Sequence, residues 1–377
     1  MAGTVAHSEL TRVGGTRFAV AEPADDAAIR RLLRENPMHG AICMTFEREP
    51  DYFRGANVAG GRDETIVAYS QGRLACMGRC SRRLCWVNGR EATVGYLAEL
   101  RLDAEARGRF GIVRDGYRFF HDLQRDNPSE LHFTSIGSDN ERARRLLERG
   151  ARGLPAYGFL AELDTLLVAV SHHRRGMGLN ITTASPEHLP ALVRVLNEHG
   201  RRHQLSTVWT ADSVRSLEWH GLPLDRFLVA FDGGEMVACG ALWDQRGFRQ
   251  AVIQGYSRPL AIARPFVNLA SLLIGSPRLP RAGSILAHAF LSPLAFAESA
   301  GEILPDFIGA ASPFAARMGL EFLTLALPAT DPRLPGLRRR FSTRTWRSRL
   351  YRVDWPGEAR MELGRNGAPF LPDVALL

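Results

Sequence analysis

The sequence predicts an α/β protein (mixed α+β) of two tandem halves, each a mixed, largely antiparallel sheet flanked by helices. Three observations carry this. At 377 residues the chain is longer than one hydrophobic core usually serves. From Arg17 onward, short strand-like runs alternate with helix-like runs. Past residue 178 the same order of elements begins again, without repetition at the level of residues. The halves are expected at 1–170 and 179–377, joined by the polar, glycine-bearing linker Ser171–Gly178.

In the first half, Arg17–Ala21 reads as a short strand. Asp25–Glu35 follows as a helix, with acids in its first turn and Ile29, Leu32 and Leu33 at helical spacing. Thr65–Ser70, Leu74–Cys80 and Leu84–Val87 read as strands, with turns at Gln71-Gly72 and at Asn88-Gly89, the latter a strong hairpin signal. Ala92–Leu102 is a longer strand, and Ile112–Arg125 a helix with Val113, Tyr117, Phe120 and Leu123 on one stripe. Leu131–Ile136 is a short buried strand. Asn140–Arg149 is a helix that Ser138 or Asp139 can cap and Gly150 ends, and Tyr157–Leu163 closes the unit.

In the second half, Leu179–Thr183 reads as strand and Pro186–His199 as helix, opened by Ser185 with Pro186 at its first position. Arg226–Phe231 and Glu235–Trp243 are strands around an Asp-Gly-Gly turn. Ser284–Leu291 is a strand, Ala310–Met318 a helix and Glu321–Leu327 a buried strand. Pro332–Arg340 is a short helix and Thr343–Val353 the last strand.

Composition narrows the classes. Hydrophobic residues at 45% and charged residues at 23% suit a globular protein and exclude a disordered one. The start, Met1–Gly15, lacks the apolar core of a signal peptide, and Pro265–Gly275, the longest apolar stretch, is too short to cross a bilayer; a cytoplasmic, membrane-free protein is the expectation. Five cysteines, an odd number, argue against a disulfide framework. Cys76, Cys80 and Cys85 lack both the paired C-x-x-C spacing and a nearby histidine, so no metal is expected.

Lysine is absent, so the net charge of +8 is carried by arginine alone. Residues 1–164 hold 24 arginines against 23 acids, and the remainder 24 against 17. The excess gathers in Arg333–Arg352, where eight arginines interleave with Phe341, Trp346 and Tyr351. Such a patch attracts phosphate groups or an acidic partner. Its plainer reading is a solvated helix end and strand face.

Chemistry is written most clearly between Val94 and Asn127: a strand, an Arg/Gly turn and a helix. Small residues in such a turn let backbone N–H groups approach a pyrophosphate, and the helix N-terminus adds a favourable dipole. The turn is Arg107-Gly108-Arg109-Phe110-Gly111-Ile112. Here the chain resembles the GNAT (GCN5-related N-acetyltransferase) superfamily, whose signature [R/Q]-x-x-G-x-[G/A] follows the fourth strand and enters a helix. Arg107 matches the leading basic position, while Phe110 and Ile112 stand at the two small positions. A loop one residue longer puts Gly111 and Val113 there instead, so at least one small residue is missing in either register.

Asn140, Ala143, Leu146 and Gly150 follow the pattern of the family's next helix, and the resemblance implies that Asn140 hydrogen-bonds the pantetheine arm. Asn140 also reads as a simple helix cap, and the two roles are compatible. The family's thiolate-protonating tyrosine is Leu147 here, which leaves Tyr157 as the substitute. Glu99 lies inside the apolar strand Tyr96–Leu102. Acyl transfer to an amine needs a proton acceptor, and burial among apolar neighbours raises a carboxyl pKa toward that task. The alternative is an exposed charge pair with Arg101. The N–H groups of Leu100, Arg101 and Leu102 are candidates to polarise a thioester carbonyl.

The second half carries no Arg/Gly turn after its Ser284–Leu291 strand, so no cofactor is expected there; shaping an acceptor cleft is its expected task. His203, Glu218 and His220 either reach the acceptor or are ordinary polar groups. The resemblance implies transfer of an acetyl group from acetyl-CoA, or another acyl from its acyl-CoA, to a primary amine on a small molecule or peptide. Attack is direct, with Glu99 as base and Tyr157 as acid. Two rivals from other classes remain: a non-catalytic binding protein, and a nucleic-acid or acidic-partner binder acting through Arg333–Arg352.

Overall fold

The computed structural model describes residues 11–13, 15–148, 150, 152–171, 179, 181–274, 278–358, 360–364 and 367–377. The first half contains β1 (Thr11–Val13), β2 (Thr16–Val20), α1 (Asp26–Arg34), β3 (Ile42–Glu47), β4 (Arg62–Ser70), β5 (Arg73–Val87) and β6 (Arg90–Leu102), then α2 (Phe110–Leu123), β7 (Leu131–Gly137), α3 (Glu141–Glu148) and β8 (Ala156–Ala169). The second contains β9 (Ile181–Thr183), α4 (Leu189–Arg201), β10 (Ser206–Thr207), α5 (Ala211–Ser216), β11 (Phe227–Asp232), β12 (Glu235–Trp243), β13 (Gln250–Tyr256) and α6 (Arg258–Ile274). It ends with β14 (His288–Phe296), α7 (Leu304–Arg317), β15 (Phe322–Pro328), α8 (Leu334–Arg340) and β16 (Thr343–Asp354). Of the expected linker, only Ser171 lies within the described residues.

Local chemistry explains most elements. Ile29, Leu32 and Leu33 of α1 are fully buried, as their spacing requires. Asn88 (φ 51°) and Gly89 (φ 78°) form the tight turn between β5 and β6, with the left-handed pair a two-residue hairpin demands. Where two strands were expected before that turn, β5 runs unbroken. The polar Ser81-Arg82 that reads as an interruption is buried, and Arg82 pairs with Glu64 at 2.9 Å on the neighbouring strand.

All the strands but β3 and β13 form one sheet in the order β1-β2-β4-β5-β6-β7-β16-β8-β15-β14-β12-β11-β9, with β10 beside β5. The last strand of the second half, β16, lies between β7 and β8 of the first, antiparallel to both. In exchange, β8 extends to pair with β15, so each half supplies a strand to the other's sheet. Both halves contain one parallel pair joined through a helix, β6–β7 through α2 and β14–β15 through α7.

Six elements escape the sequence reading: β1, β3, β10, α5, β13 and α6. β3 and β13 pair with each other as a separate two-stranded ribbon, one strand from each half. α6 continues from β13. The strand expected over Ser284–Leu291 is displaced to His288–Phe296, because Ser292-Pro293 reads as a break. The sheet accommodates it by setting Leu291 and Leu294 opposite Leu242 and Gly240, a bulge that spares Pro293 a ladder N–H.

Candidate active site

The parallel pairing of β6 and β7 runs only from Val94↔Leu131 to Leu97↔Thr134, although β6 continues to Leu102 and β7 to Gly137. Beyond Leu97 the strands part, and Thr134 Oγ1 donates to the Leu97 carbonyl at 2.7 Å at the vertex. At this point β6 bulges: Met77 faces Arg101 and Arg79 faces Ala98, so Glu99 and Leu100 together oppose Gly78. Glu99 takes a left-handed φ of 54° to make the bulge, a strained conformation of the kind that gathers at functional sites.

A cavity of about 1100 Å³ opens from this wedge. It runs past the inner face of α2 (Val113, Gly116, Tyr117, Phe120), beneath the β3–β13 ribbon, to His288 and Thr324 on the facing ends of β14 and β15. Both halves therefore build it. Of the residues expected to polarise a thioester, Leu100 and Arg101 line the cavity and Leu102 packs into the apolar layer behind.

Glu99 sits in a cluster that sequence reasoning missed. Its carboxylate accepts from Arg48 Nε at 2.9 Å and from Arg48 Nη2, and from the Tyr52 hydroxyl at 3.0 Å; Arg79 Nη1 lies 3.9 Å away. Arg79 also pairs with Asp63 at 2.8 Å. Burial alone would raise the Glu99 carboxyl, but Arg48 and Arg79 outweigh it and hold the pKa at about 2. The expected elevation is thus reversed, and the alternative partner Arg101 makes no ion pair with Glu99, donating instead to the Leu100 carbonyl at 3.1 Å.

The Arg/Gly turn lies just past the open end of the wedge. Arg107, Gly108 and Arg109 are exposed, and Gly108 takes φ 91°, a conformation glycine adopts without strain, with open space where a Cβ would stand. α2 starts at Phe110 with no side-chain cap and no acid in its first turn, so its N-terminal dipole is uncompensated. Arg107 reaches Asn36 Oδ1 at 3.1 Å and Arg109 reaches Ser70 Oγ at 3.2 Å. Phe110 turns into the apolar cluster of Val113, Ile136, Leu147, Leu154 and Tyr351; Gly111 leaves room beside it, and Ile112 is buried behind.

Asn140 caps α3 through Oδ1, which accepts the Ala143 N–H at 3.2 Å, and it also lines the cavity. Tyr157 lines it too, its hydroxyl bonded to that of Tyr117 on α2. Burial and the neighbouring Tyr117 push the Tyr157 hydroxyl well above its ordinary value, so it holds its proton at neutral pH. Further cavity residues without a signal in the sequence are Arg83, Arg249 and His288. Burial lowers His288 to about 4, and its Nδ1 lies 2.9 Å from Thr324 Oγ1. His203 and His220 bond backbone carbonyls at 2.8 and 3.0 Å, and neither they nor Glu218 line the cavity.

The corresponding wedge of the second half is closed. β14 and β15 pair from His288↔Phe322 to Phe290↔Thr324 and then part, but Leu291, Phe296, Phe307, Ile308, Leu325 and Leu327 fill the space as one buried cluster. The first turn of α7 carries Asp306, paired with Arg340, where a phosphate site requires the absence of negative charge. In Arg333–Arg352, six of the eight arginines have carboxylate partners within the fold: Arg333, Arg338, Arg340, Arg347, Arg349 and Arg352. Among the described residues no group of His, Cys, Asp and Glu is arranged to hold a metal ion, and no helix is long and apolar enough to cross a membrane.

No protein-family model matches the chain, and no curated protein matches it. Solved structures do. A GCN5-related N-acetyltransferase from Sphaerobacter thermophilus is 14% identical, over 93% of this chain and 99% of that one, with a TM-score of 0.56. Saccharomyces cerevisiae N-myristoyltransferase with bound myristoyl-CoA is 10% identical, over 91% of this chain and 84% of that one, with a TM-score of 0.60. A second structure of the same yeast enzyme gives 9% identity, 94% and 86% coverage, and a TM-score of 0.60. At these identities the likeness is one of fold: the chain has the GNAT fold in its tandem form.

Proposed function

We propose that this protein is an acyl-CoA-dependent N-acyltransferase that uses the wedge of its first half. One observation carries the proposal: the parting of β6 and β7 at Leu97/Thr134, with a bulge at Glu99, leads to an uncapped helix start behind an exposed Arg107-Gly108-Arg109 turn. The solved structures that share the fold include an N-acetyltransferase and an N-myristoyltransferase, which is consistent with it.

In this reading the turn from Arg107 to Ile112 holds the pyrophosphate of the acyl-CoA, with Asn140 near its pantetheine arm and Leu100, Arg101 and Leu102 offering N–H groups to the thioester carbonyl. The amine nitrogen attacks the thioester carbon, the carbon–sulfur bond breaks, and the ammonium proton leaves past Glu99. Tyr157, which keeps its proton, serves the departing thiolate. With a pKa of about 2, Glu99 is ionised throughout any working pH range; it orients the amine and passes its proton on rather than storing it.

Acetyl is the simplest donor. A second reading, a longer acyl chain, is favoured by the cavity's volume of about 1100 Å³, above the 300–1,000 Å³ span of typical small-molecule clefts. The test is release of free CoA thiol from acetyl-, octanoyl- and myristoyl-CoA in the presence of a panel of primary amines. Amine-dependent release is expected with at least one donor. Silence from all three, or hydrolysis indifferent to the amine, contradicts the proposal.

A further inference from the structure

The cavity carries more positive charge than the Glu99 cluster uses. Eight arginines line it, against the side-chain carboxylates of Glu99 and Asp139 alone. Arg48 and Arg79 are absorbed by Glu99 and Asp63, and Arg347 by Asp164 and Glu162. Arg83 and Arg249 have no carboxylate partner among the described residues. Arg249 makes one long bond, from Nη1 to the Ala375 carbonyl at 3.4 Å, and lies over the Phe290 ring at 5.8 Å. Arg83 donates from Nη2 to Ser81 Oγ at 2.6 Å, and its buried Nε has no hydrogen-bond partner among the described residues. A guanidinium has five N–H donors in a planar fork, so most of this capacity is unspent.

Leaving a cation half-buried and unpaired is costly, and the cost shows here: burial, with Arg48 next in effect, lowers Arg249 to about 10. Both arginines lie away from the acyl-CoA turn. Arg249 acts electrostatically on both Glu99 and Tyr96, and Tyr96 lies three residues back along β6 from Glu99, in the direction opposite to Arg107–Ile112.

We propose that Arg249, assisted by Arg83, binds a carboxylate on the acceptor, so that the acceptor is an amino acid. Its amine points to the bulge at Glu99 and its carboxylate to the Arg249 fork. This rests on the acyltransferase reading of the same cavity. A bidentate carboxylate satisfies the fork geometrically and offsets the cavity's charge. It also secures an acceptor whose amine, once free of its proton, brings no positive charge into a cationic site.

Thiol release with the twenty common amino acids, their methyl esters and the matching amines without a carboxylate decides the matter, in the wild type and in Arg249→Gln. The wild type is expected to favour the best amino acid over its ester by ~100-fold in kcat/KM, the scale of a lost buried charge pair. In Arg249→Gln that ratio should collapse toward unity through KM. A second readout is independent of activity: removing an unpaired cation should raise the melting temperature of the unliganded protein, by about 2 °C or more. Esters and simple amines turned over as well as acids, an unchanged ratio in the variant, or a lowered melting temperature from the lost tie to Ala375 would each overturn the carboxylate assignment. Absence of thiol release from every donor and amine would instead sink the acyltransferase reading on which it depends.

Discussion

The two parallel strand pairs of this molecule begin alike and end differently. β6 and β7 part beyond Leu97 and leave a polar-edged cavity, whereas β14 and β15 part beyond Phe290 into packed hydrocarbon. The difference lies in the crossover helices. α2 turns Val113, Gly116, Tyr117 and Phe120 toward open space, while α7 drives Phe307 and Ile308 into its wedge until neither retains exposed surface. At the helix starts the contrast repeats: an uncapped, acid-free turn between arginines in the first half, and Asp306 paired with Arg340 in the second. One topology thus opens into a cavity in one copy and closes on a hydrophobic core in the other. What separates them is a few aromatic and aliphatic side chains rather than topology.

The comparison is broken most severely by opening the closed wedge. Phe307→Ala should cost ~3–5 kcal/mol, the transfer and cavity cost of a fully buried phenylalanine, measured by urea denaturation. It should create no second acyl-CoA site, because Asp306 remains at the helix start; a second equivalent of bound acyl-CoA would show that packing alone distinguishes the halves.

Glu99→Gln should be somewhat milder, at ~2–3 kcal/mol, because it leaves Arg48 and Arg79 without their carboxylate in a partly solvated cavity. The folded-state pKa of Glu99 lies below its unfolded value, so its contribution is present above about pH 4.5 and is lost as the pH falls toward about 2. The variant's stability should therefore depend less steeply on pH in that window. Activity should fall ~100-fold, a typical effect of a positioned proton acceptor, and the wild-type rate should rise with the acceptor amine's own ionisation. An acidic limb centred near pH 5–6 would instead reveal a carboxyl raised as the sequence alone suggests.

The smallest effect is expected at Asn140. Asn140→Ala should cost about 1 kcal/mol through the lost cap of α3, and Asn140→Asp should restore that stability. If Asn140 also holds the acyl-CoA, both variants should weaken its binding; equal affinity in wild type and Asn140→Asp would leave it a cap only.

The repeated element order, the Asn88-Gly89 hairpin, the Arg107–Ile112 turn and the position of Glu99 were all legible in the sequence. They rest on short-range signals: periodicity, turn residues, and small residues ahead of a helix. The partners of Glu99 were not legible. Arg48 is 51 positions away, and nothing local separates it from the other 47 arginines of a lysine-free chain, so the carboxyl was expected to rise where it falls. Arg249 and His288 belong to the second half and line a cavity that both halves build, a long-range arrangement that leaves no local trace. β3 and β13 were missed for the same reason, since each takes its ladder partner from the other half.

The central claim, that the first wedge and not the second receives an acyl-CoA, is tested most directly by calorimetric titration with acetyl-, octanoyl- and myristoyl-CoA. The wild type is compared with Arg107→Ala/Gly111→Glu. Arg107 is exposed ahead of α2, and in the first turn of α2 a Cβ at Gly111 meets nothing nearer than 4.0 Å and an acid suits the helix dipole, so the variant should fold normally. One-to-one binding in about the micromolar range, at roughly −8 kcal/mol, is expected for the wild type, and its loss in the variant. Unchanged binding in the variant would place the acyl-CoA elsewhere, and no heat from any of the three donors would contradict the account.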